Sequence, residues 1–180
     1  MNTIELFEFP DFKGDSVSLS QDTADLSTEG FLQRAQSLKV QGDPWIVFSA
    51  VNYDYRGTFK CFSDGNHHSI PSWAKKISSA RIVKGGLYEP KITLYEHINY
   101  GGKAVHLEKA ATTLKGYGFD NMASSQKGVS GAWILYSEEY YKGDRMVTVA
   151  GEDLPNYHVR GWGDRVSSLM PIPPVEGSDA

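Results

Sequence analysis

The chain has 180 residues with 18 Lys and Arg against 22 Asp and Glu, a formal charge of -4. It contains no run of basic residues, so neither its balance nor its patterning suits a nucleic acid. Hydrophobic residues make up 40% and aromatics 12%, enough to fill a core, yet no apolar run approaches the roughly 20 residues of a membrane span, and the single Cys61 excludes an intrachain disulfide or a cysteine-cluster metal site.

The amino terminus, MNTIELFEFPDFKG, has neither a positively charged opening nor a long apolar stretch. The expectation is therefore a cytoplasmic protein, with leaderless secretion as the alternative. Within this stretch LFEFPDFKG (6–14) places Phe7 seven positions before Gly14. DTADLSTEGF has room for a single helical turn, and Ser37 then enters an apolar strand in QSLKV. The same order recurs. VFSAVNYDYRG (47–57) sets Phe48 nine positions before Gly57, as though two residues were inserted, and leads to Ser79 in SSARIV. LYEHINYGG (94–102) sets Tyr95 seven positions before Gly102 and leads to Ser125, and LYSEEYYKG (135–143) does so with Tyr136, Gly143 and Ser168. About 43 residues make one unit, a self-similarity that governs the fold before any local reading.

Each unit reads as short alternating strands separated by Gly, Asn, Asp and Lys turns. A hairpin that folds back over its own sheet needs φ > 0 at its corner, which Gly adopts cheaply, and the aromatic seven positions earlier then packs across it. Four units in pairs predict an all-β chain of two β-sandwich domains, each made of two Greek-key motifs. KGGLYEPK (84–91) is poor strand material, so the expected division is a first domain at 1–86, a linker at 87–90, a second domain at 91–172 and a tail or start of a further linker at 173–180. Trp45 and Trp133 stand at matching positions in the two halves, as do Trp73 and Trp162, which predicts core rather than a sugar-stacking platform.

An aromatic, six residues, a glycine and a later serine-bearing strand, repeated in pairs over nearly the whole chain, resembles the βγ-crystallin superfamily. The resemblance implies paired, intertwined Greek keys related by a pseudo-twofold axis, and a non-enzymatic protein. Calcium-binding members carry [N/D][N/D]-x-x-[S/T]-S in both units of a domain. DNMASS, Asp120 to Ser125, matches at every fixed position; GDRVSS, Gly163 to Ser168, matches except at Gly163. Carried over, one Ca2+ would take a carbonyl from Asp120 and the side chain of Asn121, with Ser167 reaching across the axis. The other would take Gly163 and Asp164 with Ser124. A carbonyl just after each signature aromatic, from Glu96 and Ser137, would complete each shell with water. That donor set suits calcium, which takes six to eight hard oxygen ligands. Asp164 brings a carboxylate where the other site has the neutral Asn121, so the Asp164 site is expected to be the tighter. The bland alternative is that Asx and Ser side chains merely shape these loops through local hydrogen bonds.

The first domain departs from the motif, with Leu32 to Ser37 and Ala74 to Ser79 lacking the leading acids and Lys75 setting an ammonium where a cation would sit. No calcium is expected there, and its serines read as loop ties. His67 and His68 read as a solvated loop, and His97 and His106 as surface packing in strands. Cys61 with a neighbouring histidine lacks an orienting group or oxyanion site, and no phosphate-cradling loop is present. Two functional classes follow. One is a structural or binding module stabilised by calcium. The other is a cell-surface or glycan-targeting part of a larger aerolysin-like pore-forming protein, implied by a resemblance to the amphibian epidermis-differentiation branch of the superfamily, with a membrane glycoconjugate and a trefoil-factor protein as partners. A monomer with its domains paired within the chain is expected in either case, since KGGLYEPK is flexible enough to bend back.

Overall fold

The computed structural model describes residues 2–54 and 56–174; positions 175–180 of the expected tail lie outside them. In TIELFEF the apolar residues alternate, and β1 (Thr3–Phe9) accordingly buries Ile4 and Leu6 completely. β2 (Lys13–Leu19) folds back along one edge of β1, and β3 (Ser37–Gln41) pairs with the other edge. β4 (Trp45–Phe48), β5 (Phe59–Phe62), β6 (Gly65–His67) and β7 (Ser79–Ile82) follow from the second repeat. The sheets run β2-β1-β3-β6 and β5-β4-β7, so β6 of the second repeat completes the sheet of the first. Thr23 of the first repeat bridges Ala80 of β7 in return. Leu6, Leu38, Trp45, Phe62 and Ile77 fill the space enclosed.

The second half repeats this plan with β8 (Lys91–His97), β9 (Gly101–Leu107), β10 (Ser125–Ser130), β11 (Ala132–Glu138), β12 (Lys142–Val149) and β13 (Ser168–Pro171). Its sheets run β10-β8-β9 and β12-β11-β13. Ala111 bridges Leu169 and Gln126 bridges Leu154, the same exchange between repeats. The chain divides into a unit built on Met1–Val83 and a second at Lys84–Pro173. Just before the expected linker, Gly85 and Gly86 take φ of 87° and 81°, while Leu87 at its start is 4% exposed and so packed. All four tryptophans are buried. DTADLSTEGF forms a single 3-10 turn at Leu26–Glu29, capped by Asp25 and Gly30.

One device recurs in all four repeats. The signature aromatic and the serine are cross-strand partners: Phe7 with Ser37, Phe48 with Ser79, Tyr95 with Ser125, Tyr136 with Ser168. Each serine is fully buried. Its hydroxyl donates to a carbonyl of the folded hairpin, that of Phe9 (2.7 Å), Ala50 (2.7 Å), His97 (2.7 Å) or Glu138 (2.6 Å). It accepts from the amide of Phe12 (3.0 Å), Tyr53 (3.1 Å), Tyr100 (3.1 Å) or Tyr141 (3.0 Å). The residue offering that amide and the one before it lie in the left-handed region in every repeat, and its ring packs on the signature aromatic at 5.4 to 5.8 Å between centroids.

The expected positive φ is found at Gly14 (80°), Gly102 (75°) and Gly143 (82°) but not at Gly57. The left-handed pair Asn52 and Tyr53 keeps its offset from Phe48, and the two extra residues fall between that pair and the glycine. Gly57 is instead required for space, because a Cβ there would come within 2.6 Å of Ser49 Oγ. Ser125→Ala would strand the His97 carbonyl and the Tyr100 amide in a part-buried setting. The expected cost is about 1–3 kcal/mol, read as a lower urea midpoint for the second unit; an unchanged midpoint would show the hydroxyl to be idle.

Candidate metal centre

Loops 119–125 and 162–168 lie side by side in the second unit and exchange reciprocal backbone bonds, Asn121 N–H to Val166 O at 3.1 Å and Asp164 N–H to Ala123 O at 2.9 Å. Asn121 and Asp164 both occupy the left-handed region, with φ of 54° and 57°. The clamped Ser125 and Ser168 fix the serine before each of them. Ser124 N–H bonds Tyr95 O at 2.8 Å and Ser167 N–H bonds Tyr136 O at 2.9 Å, which sets each beside the backbone of Glu96 or Ser137.

From there the two hydroxyls cross. Ser167 Oγ donates to Asn121 Oδ1 at 2.9 Å, and Ser124 Oγ lies 3.3 Å from Asp164 Oδ1. The two second-position side chains thus each meet the fifth-position serine of the opposite repeat. Glu96, Asn121, Ser124 and Asp164 line one open pocket of about 490 Å³, together with His97 and His158. The Glu96 carboxylate accepts the Lys103 amide at 3.2 Å, and Ser137 Oγ accepts the Asp144 amide at 2.8 Å, so each side chain is engaged locally.

Asp120 Oδ2 accepts from Asn121 Nδ2 at 3.3 Å, while its Oδ1 is buried and has no hydrogen-bond partner among the described residues. A desolvated carboxylate oxygen without a partner is costly. A cation beside it would remove that cost. Lys115 supplies some positive charge; its pKa is raised first by the ion pair with Glu139 (3.0 Å) and then by the charges of Glu139 and Asp120. No group of three His, Cys, Asp or Glu side chains converges on one point among the described residues. A cation held here would depend on hydroxyl, amide and carbonyl oxygens with a carboxylate and water, donors that fit calcium.

The first unit keeps the loop frame without those donors. Gln33 and Lys75 stand in the left-handed region at φ of 54° and 61°, and Gln33 N–H to Ile77 O and Lys75 N–H to Ala35 O, both 2.9 Å, repeat the reciprocal pair. Gln33 Nε2 donates to Ser78 Oγ at 3.4 Å where Asn121 meets Ser167 in the second unit. Arg34 ties this loop to Glu8 (2.8 Å) and Asp15 (3.0 Å). Loop geometry alone therefore needs no ion.

His158 escaped sequence reasoning. It sits in a 3-10 turn, Tyr157–Arg160, whose start is capped by Asn156 Oδ1 accepting His158 N–H at 3.0 Å. Its Nε2 is 3.4 Å from Ser124 Oγ, and its ring occupies the space where a Cβ on Gly163 would stand. The departure at Gly163 was the available signal: the missing side chain makes room for another.

Of the other histidines, His67 alone differs from expectation. His67 is not solvated but 2% exposed, its Nε2 3.0 Å from Ser63 O and its ring 5.1 Å from that of Phe62, because its strand partner position on β3 faces the core. Exposed His68 lies 4.6 Å from the Phe12 ring and 3.5 Å from Asp11. His106 takes Thr93 and Glu108 as partners, and His97 turns to the pocket. Cys61 is 8% exposed and burial pushes its thiol up to about 12, which leaves no thiolate nucleophile at neutral pH.

Paired Greek-key sandwiches with a serine-clamped, folded-back hairpin in each repeat define a class of duplicated β proteins. Residues 3–85 and 91–172 match the Beta/Gamma crystallin family, and the chain belongs to it. An Epidermal differentiation-specific protein of Cynops pyrrhogaster is 36% identical over 172 residues, 96% of this chain and 50% of that relative, so the chain spans about half its length. Among solved structures, a beta gamma crystallin from Ciona intestinalis is 32% identical with a TM-score of 0.42, covering 46% of this chain and 99% of that one. The solution structure of protein S complexed with calcium is 20% identical with a TM-score of 0.40, covering 96% of this chain and 100% of that one. Homologues in the family are structural or binding proteins rather than enzymes, and some bind calcium.

Because the folded chain keeps Cys61 neutral while the unfolded chain ionises it near 9, its contribution to stability is intact below pH 9 and is lost as pH rises toward 12. Cys61→Ala is expected to flatten the fall in urea midpoint between those limits. A thiol reagent at pH 8 should label native Cys61 at least about 100-fold more slowly than the unfolded chain, because reaction needs exposure and the thiolate.

Proposed function

We propose that the second unit is a non-enzymatic calcium-binding module, stabilised by the ion, and that the first unit carries the same loops locked by hydrogen bonds instead. The observation that supports this is the crossed pair of contacts, Ser167 with Asn121 and Ser124 with Asp164, beside the partnerless Asp120 Oδ1. One ion would be held by Asn121 Oδ1, Ser167 Oγ, Asp120 and the Ser137 carbonyl. The other would be held by Asp164, Ser124, the Gly163 carbonyl and the Glu96 carbonyl. Bound calcium supplies a double positive charge shared by oxygens of both repeats. Each half-site draws a donor from either Greek key, so the residues hold the two repeats together whenever the ion is present. A ligand that binds only the folded form stabilises it by RT ln(1 + [L]/Kd), about 2.7 kcal/mol at a hundredfold excess over Kd.

The seating of His158 supports the order of affinity opposite to that read from the motif. Asp164 shares its half-site with the nitrogen of His158, a poor calcium donor, whereas Asn121 has beside it Asp120, one of whose carboxylate oxygens is buried without a partner. The Asn121 site is the tighter calcium site on this reading. The alternative of a surface-targeting part of a pore-forming protein draws only on the resemblance to the epidermal branch, and no contact among the described residues favours it.

Calorimetric titration of calcium into the full chain tests the reading. Asn121→Ala and Ser167→Ala are each expected to weaken the tighter site at least about tenfold, or 1.4 kcal/mol, while Gln33→Ala leaves the heat unchanged. Two thermal transitions, if resolved, should part on adding calcium, the second unit's moving up alone. No heat and no shift at millimolar calcium would refute it.

A further inference from the structure

The seating of His158 against Gly163 sets the Asp164 half-site apart from its twin. The side chains hydrogen-bonded to Asn121 are those of Asp120 and Ser167, both oxygen donors. At Asp164 the ring of an exposed histidine takes the volume that an acid at the first motif position would fill, and its Nε2 points at the same hydroxyl that Asp164 Oδ1 meets. We infer that this half-site takes a zinc-class divalent ion in preference to calcium, with His158 Nε2 and the Asp164 carboxylate as principal donors and Ser124 Oγ and water completing the shell. The inference rests on reading these loops as a cation centre, but not on calcium binding to them.

Both donors meet one hydroxyl and line one pocket. Nε2 and Oδ1 stand 3.4 and 3.3 Å from Ser124 Oγ. Donors about 2.0–2.2 Å from a tetrahedral ion lie roughly 3.3–3.5 Å from one another. Calcium, with longer bonds and a more crowded shell, tolerates similar spacing, so the spacing admits a metal and the nitrogen chooses it. Imidazole is a ligand for zinc, nickel and copper, while calcium takes oxygen. With the ring proton on Nδ1, the Nε2 lone pair faces the pocket.

The turn that carries the ring is also fixed before any ion arrives. Asn156 caps its turn, Gly161 closes the turn in the left-handed conformation, and the buried Tyr157 anchors it through a 2.6 Å bond from its hydroxyl to Gln126 Oε1. The pocket is open to solvent, and both His158 and Asp164 are exposed, so an ion has a path in. Two strong donors and a hydroxyl make a site of moderate affinity, in keeping with the lack of any three-residue His, Cys, Asp or Glu cluster.

Zinc chloride titrated calorimetrically into the full chain in a non-chelating buffer is the test, with calcium chloride titrated separately. One zinc ion per chain is expected at micromolar affinity, weakened at least about tenfold, or 1.4 kcal/mol, by His158→Ala and by Asp164→Asn, and unchanged by His68→Ala. Gly163→Asp would push the ring out and restore the acid, so zinc should weaken and calcium tighten. The metal-free urea midpoint checks that each variant is folded. As a second readout on the unaltered chain, substoichiometric zinc should shift the ring resonances of His158, assigned by their loss in His158→Gln. No zinc heat at 0.1 mM, zinc affinity indifferent to His158→Ala, or ring shifts at another histidine would overturn the inference. Calcium without zinc sinks this inference and leaves the calcium reading standing; zinc without calcium does the reverse.

Discussion

A single buried serine hydroxyl in each repeat carries the rest of the structure. It donates to one backbone group and accepts from another across a hairpin whose two corner residues are left-handed, a conformation costly for Phe12, Tyr53, Tyr100 and Tyr141. Neither bond is strong alone, since a neutral hydrogen bond contributes about 1 kcal/mol net. Its leverage comes from what it fixes. With the hairpin pinned, the two aromatic rings pack edge to face in three repeats and tilted at 57° in the fourth, and Lys39, Arg81 and Lys127 each lie 4.5 to 4.9 Å over the outer ring in three of the repeats. The residue before the clamp then has its backbone position set, which is how Ser124 and Ser167 come to face the opposite loop.

That hierarchy explains why the loops look alike whether or not they carry cation donors. Gln33 and Lys75 adopt the backbone of Asn121 and Asp164 because the clamp and the reciprocal amide bonds dictate it. The side chain at the second position is then free to vary. In the first unit Gln33 satisfies Ser78 directly and Arg34 neutralises Glu8, whose pKa is lowered chiefly by that guanidinium. In the second unit Asn121 and Asp164 present oxygen instead. One frame thus serves two ends: a closed polar network in one half and a set of donors awaiting a charge in the other.

The fold was legible because its signals are periodic. An aromatic, a glycine and a serine recurring about every 43 residues can hardly arise except by duplication, and the four tryptophans at matched offsets marked the cores. The crossing of Ser167 to Asn121 and of Ser124 to Asp164 came from the family pattern, not from any feature of local sequence. Three things were hidden. Gly57 broke the corner rule because its extra residues follow the left-handed pair, so space rather than φ selects glycine there. His67 reads in sequence as part of a solvated loop, although pairing with Leu38 on β3 turns it inward. His158 lies five residues from Gly163 in sequence, and only the three-dimensional turn at Tyr157–Arg160 brings its ring onto that glycine.

The trading of strands between neighbouring repeats has a further consequence. Because β6 finishes the sheet begun by β1, and Thr23, Ala111 and Gln126 bridge to the other member of each pair, no single repeat owns a complete edge. An isolated repeat would leave ladder amides unpaired and would satisfy them by recruiting a twin, assembling from two chains what is here made from one. The smallest autonomous piece of this molecule is therefore a couple, here joined in one chain.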